Sequence, residues 1–113
     1  MTTLATQQLN STFIPNLAAL IEEIPPESIV SRTVYRDDQV KAVLFGFAAG
    51  EGLSEHTAAQ AAILYFVQGE ATVTLGDETQ TAAPGTFIHM PPKLTHGVTA
   101  HSDVLMLLLL LKS

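Results

Sequence analysis

Two histidines carry most of the chemical potential of this chain. His56 closes the stretch GEGLSEH and His96 closes GTFIHMPPKLTH, so each follows a glycine-anchored segment. A neutral imidazole can ligate a metal ion, accept or donate a hydrogen bond, or move a proton near neutral pH. Cysteine is absent and there are four histidines, which excludes disulfides and thiolate metal sites and leaves imidazole as the principal soft donor. Two imidazoles suit zinc, nickel, iron or copper, although such sites usually draw on three or four protein ligands.

The remaining candidates are weaker. Gln60 shares period-two parity with His56, Ala58 and Ala62, which makes its amide the expected polar helper, bonding to substrate or water rather than ligating an ion. His89 has the opposite parity to Ile88 and Met90; an apolar pair faces a core more naturally, so His89 is expected on the other face of its strand. His101, beside Ser102 and Asp103, reads as a turn residue in solvent. Glu51 and Glu55 flank the Gly52 turn as surface charges. Neither a nucleophilic serine motif nor a phosphate-cradling glycine loop is present.

The elements that must hold these side chains are strands. Residues 1–13 are polar and read as a loose arm. Pro15 opens a short helix expected over Asn16 to Ile24, with Leu17, Leu20, Ile21 and Ile24 on one face and Pro25-Pro26 ending it. From Ser28 the period changes to two, with Ile29, Ser31, Thr33 and Tyr35 alternating against Val30, Arg32, Val34 and Arg36. Val40 to Ala48 is a second strand, in which Gly46 marks a bulge or a close approach. Gly50 and Gly52 end it in a turn.

Ala61 to Val67 is continuously apolar and is expected to be covered on both faces. Turn-bounded strands follow at Ala71 to Leu75, Glu78 to Ala82, Thr86 to Met90, Thr95 to Ala100 and Val104 to Leu111. This count favours an all-β barrel or sandwich, with residues 1–27 as arm and helix and residues 28–113 as the barrel.

Composition narrows the setting. A chain of 113 residues suits one hydrophobic core. Hydrophobic residues make up 47% and charged residues 14%, which is rich in core and poor in surface; a homodimer that covers apolar outer faces is the economical expectation. The net charge of −6 comes without a basic patch and argues against nucleic acid. The run Val104 to Leu111 is far short of the roughly 18 residues that span a bilayer, so no membrane role is expected. The first residues lack a basic start and an apolar run, which makes a cytoplasmic location the default expectation.

With their spacing, the two histidine stretches resemble the paired motifs of the cupin superfamily, which are small double-stranded β-helix (jelly-roll) barrels. The first cupin motif runs Gly, five residues, His, one residue, His, three or four residues, Glu, six residues, Gly. Gly50, His56 and Gly69 match it, while Ala58 stands at the second His position and Ala62 at the Glu position. The second motif runs Gly, five residues, Pro, one residue, Gly, two residues, His, three residues, Asn. Gly85, Pro91 and His96 match, with Lys93 at the inner Gly and Ala100 at the Asn.

The resemblance implies an all-β jelly-roll barrel over Ile29 to Leu111, with His56 and His96 on neighbouring strands inside the barrel mouth. Many cupins hold a divalent ion with two His, a Glu and a later His, of which this chain keeps the first and last. The expected metal ligands are therefore His56 and His96, holding zinc, nickel, iron or copper weakly. The expected ligand-binding set is Gln60 with Leu64, Phe66, Ile88, Met90 and Val98 as apolar walls, chosen by strand parity. Two functions remain open: a small-molecule cupin, enzymatic or sensing, that works through such an ion, and a metal-free barrel that binds an apolar ligand or only dimerises. No reaction or substrate is legible.

Overall fold

The computed structural model describes residues 9–112. Nine strands form two antiparallel sheets: β1 (Ile29–Arg36), β2 (Val40–Phe47), β3 (Gly52–His56), β4 (Ala61–Gln68), β5 (Ala71–Leu75), β6 (Glu78–Ala82), β7 (Phe87–Met90), β8 (His96–Ala100) and β9 (Val104–Leu111). One sheet has the order β1-β2-β9-β4-β7 and the other β3-β8-β5-β6. The all-β jelly-roll expectation holds.

Period-two alternation decides what each strand buries. Phe47, Ala62, Leu64, Phe66, Met90, Val104 and Met106 from the larger sheet meet Ala71, Val73, Ala82, Val98 and Ala100 from the smaller one, and all of these are buried in one core. Phe47 stacks on Phe45 along β2, with ring centroids 5.7 Å apart.

The outer face of the larger sheet carries a second, smaller cluster. Ile21 packs there with Leu44 and Leu105, flanked by Ala18, Leu20, Ile24, Val30 and Leu107. The expected helix over Asn16 to Ile24 is replaced by one turn of 3-10 helix, Leu17–Leu20. Asn16 Oδ1 caps it by accepting from the Ala18 N–H at 3.1 Å, and Ile21 is already extended, with φ −129° and ψ 95°. A nine-residue helix is marginal on its own; an extended chain lets Ile21 and Ile24 both reach the sheet, and packing wins.

Three local points are settled as well. Gly46 pairs regularly with Val30 and Leu105, without a bulge. It is a close approach: a Cβ there would lie 2.9 Å from Val30 Cγ2 and 3.0 Å from Ile24 Cγ1. The bulge lies instead in β1, between Thr33 and Tyr35, and it turns Tyr35 to the face of Ala42. There the Tyr35 hydroxyl donates to Asp37 Oδ2 at 2.6 Å. That bond, aided by the Gln39 and Val40 N–H groups, holds the Asp37 carboxyl below its ordinary range and pushes the Tyr35 hydroxyl up.

The third point concerns β4, which is buried on its inner face only. Ala62, Leu64 and Phe66 are buried, whereas Tyr65 on the outer face is 39% exposed. Phe87, its register partner on β7, is 64% exposed.

Candidate functional site

The barrel has two unlike ends. β3 finishes, β4 begins, β7 finishes, β8 begins and β9 finishes at one of them, which is the mouth. The β3–β4 and β7–β8 connections meet there through a hydrogen bond from the Lys93 N–H to the Ala58 carbonyl, at 2.7 Å.

His56 and His96 are direct register partners across β3 and β8, and their ring centroids lie 4.3 Å apart with planes inclined at 58°. His96 shares the inner face of its strand with Val98 and Ala100 and is half-buried; His56, at the rim, is exposed. A register irregularity between Leu53 and His56 brings the two rings into line. This strand escapes sequence reading, because GEGLSEH resembles a glycine-rich turn. Gly52 is in fact a strand residue whose missing side chain matters: a Cβ there would lie 1.9 Å from the Val98 carbonyl oxygen.

Both rings are held in the same way. His56 Nδ1 lies 2.7 Å from the Ser54 carbonyl oxygen, and His96 Nδ1 lies 2.8 Å from the Leu94 carbonyl oxygen. A carbonyl only accepts, so Nδ1 is the donor in each, and in the neutral rings both Nε2 atoms keep their lone pairs free. Tethering of Nδ1–H to a backbone carbonyl is the arrangement that orients metal-ligating imidazoles. The pair suits an ion chemically, and it supplies two donors. Among the described residues no group of three or more His, Asp or Glu side chains is placed to hold a metal.

The other candidates fall in different places. Gln60 lies in the bend between β3 and β4 and is exposed, so its supposed strand parity with His56 does not hold; the chain leaves the extended conformation after His56. Ile88 and Met90 sit on the inner face of β7, opposite Leu64 and Ala62. Val98 is midway along β8, beside Leu53 and Val73.

Phe66 is the clear displacement. It is fully buried and pairs with Met106, four residues along β4 from Ala62, or about 13 Å away from the mouth. Parity selects a face but says nothing about depth. His89 pairs with Ile63 on the outer face and is exposed, as its parity implies. His101 is exposed and shares a hydrogen bond with Thr72 at the opposite end.

Sequence reasoning also passed over part of the rim. Leu75, Leu94, Leu108 and Leu110 pack against the core and are half-buried. Leu75 is the register partner of His96, and Leu110 that of Ala62. Within a run such as VLMLLLLL no signal separates mouth leucines from core leucines, since only position along the barrel distinguishes them.

Lys93 has φ 71°, a left-handed conformation that favours glycine. The turn before His96 therefore keeps a glycine-type backbone at the position where the second cupin motif has its inner glycine.

Two antiparallel sheets closed around one core, with motif histidines paired at one end, define a jelly-roll barrel of the cupin type. Residues 43–111 match the cupin domain family, and the chain belongs to that family. Among solved structures, a cupin superfamily protein from Desulfitobacterium hafniense is similar at 26% identity, covering 95% of this chain and all of its own, with a TM-score of 0.82. A conserved protein of unknown function from Streptococcus pyogenes is similar at 23% identity, covering 95% of this chain and 93% of its own, with a TM-score of 0.81. The DMSP lyase DddQ from Ruegeria pomeroyi matches at 18% identity over 75% of this chain and 47% of its own, with a TM-score of 0.66. For the last two, the likeness shows the fold alone. A comparison with curated proteins found no match.

Proposed function

We propose that the protein is a small-molecule-binding cupin whose working centre is the barrel mouth, where Nε2 of His56 and Nε2 of His96 hold a divalent transition ion. The observation that carries this reading is the shared tether of the two rings. Both Nδ1–H groups are occupied by backbone carbonyls, so two free lone pairs stand on adjacent strands with ring centroids 4.3 Å apart. Ile88, Met90 and the leucine rim form the apolar wall in this proposal, with Leu64 and Val98 deeper and Gln60 as the polar helper from the rim. Such an ion would act as a Lewis acid toward a bound oxygen ligand.

Two donors hold an ion less firmly than three or four. The ion is therefore exchangeable, and the barrel, whose core lies below the mouth, does not depend on it for folding. The test is elemental analysis of protein purified without chelators, beside His56→Ala and His96→Ala. Expected is metal above background in the wild type, loss of it in both variants, and cooperative unfolding in all three. If wild-type protein carries no metal and its melting temperature ignores zinc, nickel, iron and copper, the metal-free ligand-binding barrel replaces this reading.

The proposal includes a homodimer. Phe87 at 64% exposure, with Tyr65 beside it, leaves an apolar area on the outer sheet, and Phe13 at 84% and Leu9 at 95% stand free on the N-terminal segment. Apolar surface of this kind on a small domain favours cover by a second copy. A monomer mass by light scattering at micromolar concentration would reject it.

A further inference from the structure

Of the four strands that end a sheet, β1 is the longest, at eight residues. Its ladder to β2 fixes which backbone groups are left over. Ala48 N–H donates to the Ser28 carbonyl, and the register runs regularly from Ile29↔Phe47 to Thr33↔Val43, so the alternation of antiparallel bonds turns the N–H and C=O groups of Ile29, Ser31 and Thr33 away from β2. Among the described residues, no backbone hydrogen bond reaches those groups from another segment. Such an edge is a template for one more strand. Arg32 does not block it, because its Nη1 is turned onto the outer face and donates to the Leu20 carbonyl at 3.1 Å.

The N-terminal segment passes beside this edge. Asn10, Ser11, Thr12 and Ile14 form one bank of a groove of about 420 Å³, and Val34 and Tyr35 of β1 form the other. Residues 9–14 contain no turn or helix, and Leu9 and Phe13 are almost fully exposed. In a strand these two share one face, being four residues apart. Residues 1–14 hold neither glycine nor proline, and the first charged side chain of the sequence is Glu22. A segment without those turn residues favours running on over doubling back onto its own β1. Two bare β1 edges paired directly would set Arg32 and Arg36 of each copy against those of the other, and like charges opposed across strands are destabilising. An uncharged segment laid between the edges removes that opposition.

We propose, resting on the homodimer reading above, that the partner of this surface is a second copy, whose N-terminal segment enters the groove and adds a strand along the free edge of β1. The exchange is reciprocal, since a twofold interface uses the same patch on both copies. Backbone groups of Ile29, Ser31 and Thr33 receive the incoming strand, and Leu9 and Phe13 gain the cover that they lack in a single chain. The eight residues before Leu9 add about 26 Å of reach, which matches the length of an eight-residue strand.

The chain has no cysteine, so introduced thiols report on their own positions alone. Full-length Ser11→Cys and Ser31→Cys variants, one carrying a mass tag, are co-expressed and treated with a short bismaleimide. Expected is a covalent pair made of one of each, with its yield cut about tenfold or more when Leu9→Asp and Phe13→Asp are added to the Ser11→Cys chain. Light scattering should move the Leu9→Asp/Phe13→Asp protein from dimer to monomer at micromolar concentration. Both side chains are exposed in the single chain, so its far-UV spectrum should stay that of the wild type. A dimer that gives no mixed pair, or that keeps its mass with both aspartates in place, overturns this inference and leaves the homodimer standing. A monomeric wild type overturns both.

Discussion

The mouth and the opposite end of the barrel are made from the same strands, yet they are built differently. At the far end, Phe47, Phe66, Ala71, Ala82, Ala100 and Val104 are all at or near zero exposure. The loops over them are stitched together: Gly50 N–H donates to the Ala100 carbonyl, Ala100 N–H to that of Glu51, and His101 N–H to that of Glu70, each at 2.8 Å. Side chains add to this. Ala49 N–H donates to Asp103 Oδ1, and Glu70 N–H to Ser102 Oγ, each at 3.0 Å. At the mouth the inner residues are half-buried leucines and two tethered imidazoles, and the connections are joined by Lys93 N–H to the Ala58 carbonyl, Gly76 N–H to that of Thr95 and Lys112 N–H to that of Gln39. The difference lies in side-chain burial, which is complete at one end and partial at the other.

That division can be broken from the closed end first. Phe66→Ala should cost about 3–5 kcal/mol, from lost transfer energy plus a cavity that its neighbours cannot fill. It should leave the metal binding proposed at the mouth unchanged in whatever fraction remains folded. Urea unfolding beside elemental analysis checks both, and a loss of metal at undiminished stability would place Phe66 in the site after all.

A smaller effect separates two glycines with similar backbones. Gly69 has φ +85°, and a Cβ there would lie 2.1 Å from the Asp103 carbonyl oxygen. Gly85 has φ +95° with open space around it. Gly85→Ala should cost only the conformational term, about 1–2 kcal/mol. Gly69→Ala should cost clearly more, because backbone must move within the stitched end. Equal midpoints in urea would mean that this end is looser than its hydrogen bonds imply.

The smallest change has the opposite sign and belongs to the mouth. Lys93→Gly places glycine at φ 71°, and relief of the left-handed penalty should stabilise the protein by up to about 1 kcal/mol. The gain is partly offset by the greater freedom of glycine in the unfolded chain. A destabilised variant would show that the Lys93 side chain contributes contacts that outweigh its backbone strain.

Much of the architecture was readable from residues alone. Turn pairs such as Gly76-Asp77 and Pro84-Gly85, with period-two alternation between them, mark strands wherever one face is buried. The spacing of Gly50, His56, Gly69, Gly85, Pro91 and His96 leads to the jelly roll and pairs the two histidines. Local pattern failed where long-range packing decided the outcome. The segment from Asn16 to Ile24 has helical spacing, but Ile21 gains more by lying extended on Leu44 and Leu105. Tyr35 changes face because a bulge shifts the register of β1.

Side-chain type and strand parity were local properties, and the sequence by itself determined them: which residues could ligate, which faces were apolar, and that a second His and a Glu were missing. Depth along the barrel was decided only by the tertiary structure. It moved Phe66 out of the mouth and put Leu75, Leu94, Leu108 and Leu110 into the rim, since those positions follow from how nine strands are staggered around one core. The free Nε2 atoms were decided there too. Each tether joins a ring to a carbonyl only two residues away, at Ser54 and Leu94, yet its direction toward the partner ring depends on the pairing of β3 with β8. That pairing spans 40 residues of chain between His56 and His96, and no local rule specifies it.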